Sequence, residues 1–164
     1  MTASVLPRVR TVRAGDEPGT LDITWHDKRR TTVDLKGLIG RSKRLAALAD
    51  PALFRKATRA HGGYGVAWPG GLDYAAASLD RLARLQQEMT GADLAHWMER
   101  LGLSIQETAA LLGLSPRMIK LYRQRKAVPL PLVTRIACRL MEEDRSVLDA
   151  LYRPRSTGRP RKAA

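Results

Sequence analysis

LGLSIQETAALLGLSPRMIKLYRQRKAVP, residues 101–129, is the stretch whose reading decides the architecture of this chain. Ser104-Ile105-Gln106-Glu107 has the spacing of a capping box: the serine hydroxyl and the glutamate carboxylate each accept an end amide of a new helix. That helix is expected to run through Ala109 and Leu112 and to stop at Gly113, because glycine adopts the left-handed backbone of a helix C-terminus without penalty. Leu114 then plugs a short turn. Ser115 is placed to cap a second helix, with Pro116 at its first position, where proline lacks only an amide that would be unpaired anyway. Two short helices joined through so tight a glycine turn have the layout of a helix-turn-helix.

The second helix is polarised. At about 100° per residue, Ile119 and Tyr122 share one face with Met118 at its flank. The opposite face carries Arg117, Lys120, Leu121 and Gln124. Arginine and lysine donate to guanine edges or phosphates, glutamine pairs with adenine, and leucine touches a thymine methyl. Arg123, Arg125 and Lys126 are placed to hold backbone phosphates, and Ser115 with the exposed amides at its helix start adds a further phosphate contact. Short capped helices also occur in many all-α domains, and a basic face is usually only solvated. Here the turn, the caps and the basic exterior agree in one window, which favours double-stranded DNA as the partner.

On these residues the segment resembles the helix-turn-helix of lambda-repressor-like regulators. Ala109, Gly113, Leu114, Ser115, Ile119 and Tyr122 stand where that pattern has its alanine, glycine, turn hydrophobe, cap and buried pair. The resemblance covers about residues 90–145, with Leu132, Val133, Ile136, Ala137, Leu140 and Met141 expected to form the following packing helix. It departs from the pattern twice. Ile105 stands where the family often has a phosphate-binding glutamine, and Arg123-Gln124-Arg125 replaces Glu-x-Gly, altering the exit of the helix while adding positive charge.

Outward from this segment, Thr90-x-x-Asp93 reads as another capping-box start, for a helix whose inner face is Leu94, Trp97, Met98 and Leu101. Before it, Leu79, Leu82, Leu85 and Met89 recur at spacings of three and four and predict a connecting helix. Upstream of residue 77 the period changes to that of strands. Residues 21–25 alternate cleanly and should pair with residues 31–35 across the polar turn at 27–30, whereas residues 8–13 are β-branched without clean alternation. Asp50-Pro51 starts a helix of about one turn, and a second hairpin is expected from residues 57–60 and 64–68, closed by Pro69-Gly70-Gly71. The fold class is therefore α+β. A small β-rich domain (1–76) and a connecting helix (77–88) precede an all-α helix-turn-helix domain (89–152) and a basic disordered tail (153–164).

Leu45-x-x-Leu48-x-Asp50-x-x-x-Phe54 and Trp68-Pro-Gly-Gly-Leu-Asp73 resemble a small bacterial α+β domain of unknown function over roughly residues 8–80. Some members of that family precede a lambda-repressor-like module and some sit beside small toxin-like genes. The resemblance thus implies an alternative: an antitoxin-like module that neutralises a small protein partner through the N-terminal domain, with DNA binding secondary.

Composition agrees with this and excludes other classes. The 164 residues include 29 Lys plus Arg against 16 Asp plus Glu, a formal charge of +13, with the excess heavier after residue 80. An anionic partner is expected. The longest run without a charged side chain, residues 60–72, is Gly-rich and too short to span a membrane, and residues 1–13 lack the apolar core of a signal peptide, so a soluble, cytoplasmic chain is expected. The single Cys138 falls off the apolar stripe of its helix and reads as a bystander thiol. His26, His61 and His96 are far apart and outside any metal motif, so no metal or cofactor is expected. No catalytic constellation is visible and the chain reads as no enzyme, Trp68 and Asp73 being a core and a turn residue before a ligand site. Gly158-Arg159-Pro160-Arg161-Lys162 is similar to a minor-groove hook, with Thr157 where an arginine belongs, and reads first as a solvated tail. A single helix-turn-helix contacts few base pairs, so a homodimer on two half-sites is expected. The function favoured is a sequence-specific DNA-binding transcriptional regulator.

Overall fold

The computed structural model describes residues 6–154. The chain divides into two compact units, Met1–Gln87 and Glu88–Ala164, each with its own apolar core. The fold class is α+β, as the sequence predicts: two three-stranded sheets are followed by helices. Residues 155–164, with the hook-like motif, lie outside the described residues.

In the first unit, β1 (Val9–Ala14), β2 (Thr20–Trp25) and β3 (Arg30–Asp34) form an antiparallel sheet in chain order. The period-2 pattern of β2 sends Leu21, Ile23 and Trp25 into the core. A register shift between Val9 and Thr11 explains why β1 lacks clean alternation. An extra residue in one strand reverses the side on which later residues point, so Val9 is buried while Val12 and Ala14 pack at its margin. After α1 (Lys36–Arg41), Asp50 caps the single turn α2 (Pro51–Phe54) by accepting the Ala52 amide at 2.8 Å.

The expected second hairpin is present as β4 (Thr58–Ala60) and β5 (Gly65–Trp68), but Pro69-Gly70-Gly71 does not end the sheet. It turns into a third strand, β6 (Leu72–Ala75), paired antiparallel to β5. Only four residues separate that turn from α3 (Ala76–Gln86), too few for periodicity to register. α3 packs Leu79 and Ala83 into the first core and ends at Gln86, so Met89 belongs to the second core instead. Asp80, nearly buried on α3, is held by Arg29 and Arg84, each at 3.1 Å.

The second unit consists of α4 (Gly91–Leu101), α5 (Ile105–Leu112), α6 (Pro116–Gln124), α7 (Leu132–Glu143) and α8 (Arg145–Leu151). Leu94, Trp97 and Ile119 are fully buried at its centre. Burial of each such side chain contributes roughly 1.5–3 kcal/mol.

α7 corrects the sequence reading. Thr134, Cys138 and Met141 face the core with Ala137 at its margin, whereas Leu132, Val133, Ile136 and Leu140 are exposed to 56%, 79%, 42% and 42%. The apolar arc of this helix covers more than half its circumference, so periodicity alone cannot say which part turns inward. The choice is tertiary. Packing against the second core selects the 134/138/141 side, and in that rotation Glu142 reaches Arg100 of α4 while pairing with Arg139 of its own helix at 3.2 Å. Cys138 is therefore a core residue. Burial first, then the neighbouring Glu142 carboxylate, push its thiol up to about 12, so it stays protonated and unreactive at neutral pH.

Candidate nucleic-acid interface

The candidate interface is built from two helix caps and one close backbone approach. Ser104 and Glu107 form the capping box of α5, with the Ser104 amide donating to Glu107 Oε2 at 2.8 Å. The other carboxylate oxygen, Oε1, accepts the Tyr152 hydroxyl at 2.6 Å, a hydrogen bond that raises the phenol's pKa. α5 ends at Gly113, whose φ of 63° is the left-handed value expected, and the Leu114 amide returns to the Ala109 carbonyl. Ser115 Oγ accepts the Met118 amide at 3.2 Å and starts α6. Ile119 is fully buried and Tyr122 half-buried, which fixes the rotation of α6 against α4 and α5.

The exit of α6 is held by α4. The Gly91 amide donates to the Val128 carbonyl and the Ala92 amide to Lys126, so the first turn of α4 and the segment after α6 satisfy each other's backbone groups. A methyl group at Gly91 would lie 2.0 Å from the Tyr122 carbonyl oxygen. The departure at Arg123-Gln124-Arg125 is accommodated this way: no glycine closes α6, and Arg125 has φ −86° and ψ 64°.

The consequence is a cleft of about 660 Å³ between α4 and α6, lined by Lys120, Arg123, Gln124 and Lys126 on one side and by His96 and Glu99 on the other. Of the residues singled out from sequence, those first four converge on it. Arg117, Ser115 and Arg125 are exposed outside it, and Leu121 is half-buried rather than fully presented. Sequence reasoning missed His96 and Glu99. Their signal was available, since both fall on the side of α4 opposite Leu94, Trp97 and Met98. α6 carries no acidic side chain, so its outward face is uniformly cationic or neutral. Glu99 alone brings negative charge into the cleft lining.

The first unit offers different surfaces. Trp68 is buried and donates its indole N–H to the Phe54 carbonyl at 3.0 Å, so it supports the core and lines no site. Asp73 is paired with Arg44 and lies 3.9 Å from His61 Nε2. Residues 9–84 match the family described as "Protein of unknown function (DUF2442)". That segment runs from β1 through most of α3 and stops short of the cleft. No curated protein matches the chain. Among solved structures, the crystal structure of "Putative DNA Binding Protein NE0471" from Nitrosomonas europaea ATCC 19718 is similar, at 25% identity over 100% of this chain and 99% of that one, with a TM-score of 0.48.

The DUF2442-matching unit also holds an open hollow of about 420 Å³ under the β1–β2 turn, floored by Ile39, Leu48 and Phe54. Among the described residues no three His, Cys, Asp or Glu side chains group as metal ligands, and no helix is long and apolar enough to cross a membrane.

Proposed function

We propose that the second unit is a helix-turn-helix that reads the major groove with α6, making the chain a sequence-specific DNA-binding transcriptional regulator that acts as a homodimer. One observation carries this reading. The solvent face of the short capped helix α6 presents Arg117, Lys120, Arg123 and Gln124 with no acid among them, and Arg125 and Lys126 follow directly. Arg117, Lys120 and Gln124 are the donors for base edges, and Leu121 supplies an apolar flank for a thymine methyl. Ser115, Arg123, Arg125 and Lys126 hold phosphates and set the register of the helix on the duplex. A nine-residue helix reaches only a few base pairs, which calls for two copies on two half-sites. This reading assigns the chain no catalytic activity.

Selection from random duplexes tests it. A single enriched motif is expected, with affinity falling steeply as salt is raised because bound phosphates release counterions. Lys120→Ala should cost roughly 1–3 kcal/mol on that motif, with relaxed preference at one base position, whereas Lys126→Ala should weaken all sequences alike. Absence of an enriched motif together with a flat salt response would overturn the reading.

A further inference from the structure

We propose that His96 of α4 contacts a backbone phosphate of bound DNA inside the cleft between α4 and α6, and does so as the protonated imidazolium. The inference rests on the DNA-binding reading and adds a second helix to it. The cleft side of α4 is one helical face, with Ala92, Ala95, His96 and Glu99 at steps of three and four. The two alanines keep the cleft open, and His96 and Glu99 are exposed side chains long enough to reach into it. The Ala92 amide donates to the Lys126 carbonyl, which holds the Lys126 segment about one turn from His96. Among the described residues, no ion pair or side-chain hydrogen bond engages Lys120, Arg123 or Lys126, although Glu99 shares their cleft.

The geometry of the duplex supplies the anion. The major groove is about 12 Å wide and a helix with its side chains about 10–12 Å across, so the sugar-phosphate chains lie close against both flanks of a helix seated in it. With Arg117, Lys120 and Gln124 turned to the bases, Arg123 falls on one flank of α6, and that flank opens into the cleft. A phosphate there meets Arg123 and Lys126 from one wall and His96 from the other. Charge sets the protonation state. On α4, His96 has Glu99 one turn later and Asp93 one turn earlier, Asp93 itself lying near Arg139 of α7; Lys120, Arg123 and Lys126 stand across the cleft. A bound phosphate adds negative charge among these groups, which favours the imidazolium, and the imidazolium in turn offsets the repulsion between that phosphate and Glu99. DNA binding therefore takes up a proton, and affinity rises as pH falls through the range in which histidine ionises.

Fluorescence anisotropy of the full chain with a labelled duplex of mixed sequence tests it, since a phosphate contact needs no motif. From about pH 8 to about pH 6 at fixed salt, affinity should rise roughly fivefold. Over the same interval the slope of log affinity against log salt should steepen by about 0.9, the signature of one further neutralised phosphate. His96→Gln should abolish both changes. His96→Lys, which carries a fixed charge, should bind at the higher pH as tightly as wild type does at the lower. Glu99→Gln should tighten binding at the higher pH, whereas His26→Gln and His61→Gln in the other unit should leave the pH response intact. Residues 96 and 99 are exposed, so the far-ultraviolet circular dichroism of their variants should match wild type. A pH response that survives His96→Gln, or is absent from wild type, would overturn the contact, while salt-dependent binding leaves the DNA reading standing. No binding at either pH removes the DNA reading and this inference with it.

Discussion

Gly91 sits at the first position of α4, directly beneath the last carbonyls of α6. The capping pattern Thr90-x-x-Asp93 makes residue 91 look like an indifferent helix start, where most side chains are tolerated. The structure makes it the most closely approached of the described glycines in the second unit: an added methyl would meet Tyr122 O at 2.0 Å and Arg125 O at 2.7 Å, both backbone atoms that cannot swing aside. Gly91→Ala should therefore destabilise the second unit by on the order of 3 kcal/mol, well beyond ordinary overpacking of a flexible neighbour. It should also pull Lys126 away from Lys120 and, on the proposed DNA-binding reading, weaken binding to DNA in parallel. Urea unfolding followed by helical circular dichroism checks the first effect; a cost under about 1 kcal/mol would mean that the α4–α6 approach relaxes easily. The nearest sequence neighbour of this contact is more than thirty residues away, so nothing local could have announced it.

At the scale of elements, the parts legible in advance are those whose physics is local. The boxes that start α4 and α5, Gly113 after α5, the Ser115 cap and the single turn after Asp50 each depend on residues within four positions of one another. The α4 box yields a pH dependence. The Thr90 amide and hydroxyl, each 2.8 Å from Asp93 Oδ2, hold the Asp93 carboxyl below its usual range, the amide contributing most. A carboxyl lowered on folding stabilises the native state above its unfolded pKa of about 3.9, and that stabilisation is lost as pH falls through the lower folded value. Asp93→Ala should thus cost about 1 kcal/mol at neutral pH, with the difference from wild type closing below about pH 4. Thermal unfolding of both proteins across that range measures it, and a gap independent of pH would remove the carboxylate from the account. The rotation of α7 lies at the other extreme. Its apolar arc is too broad to name an inner side; packing of Thr134, Cys138 and Met141 against the second core makes the selection, with the long-range pair of Glu142 to Arg100 of α4 alongside it.

Across the whole molecule, net charge is a blunt guide to the partner. The charge of +13 is spread over both units and includes the tail outside the described residues, whereas the candidate interface needs only the few cations around α6. The separation of the two cores leads to a prediction at this scale. Residues 1–87 and 88–164, produced separately, should each unfold in one cooperative transition, because each buries its own Trp-containing centre. Calorimetry of the two pieces tests this, and a first piece lacking a cooperative transition would show that its core needs the second. By itself, the sequence determined the α+β class, most helix starts and stops, the β2–β3 pairing and the polarity of α6, since caps, turns and periodicity act over a few residues. Only tertiary structure decided that Pro69–Gly71 leads into another strand and that Cys138 is core while Val133 is exposed. It also decided that α4 closes a cleft with Lys120, Arg123, Gln124 and Lys126. These outcomes depend on which of several compatible surfaces meet, and that is settled by atoms distant in the chain competing for the same space.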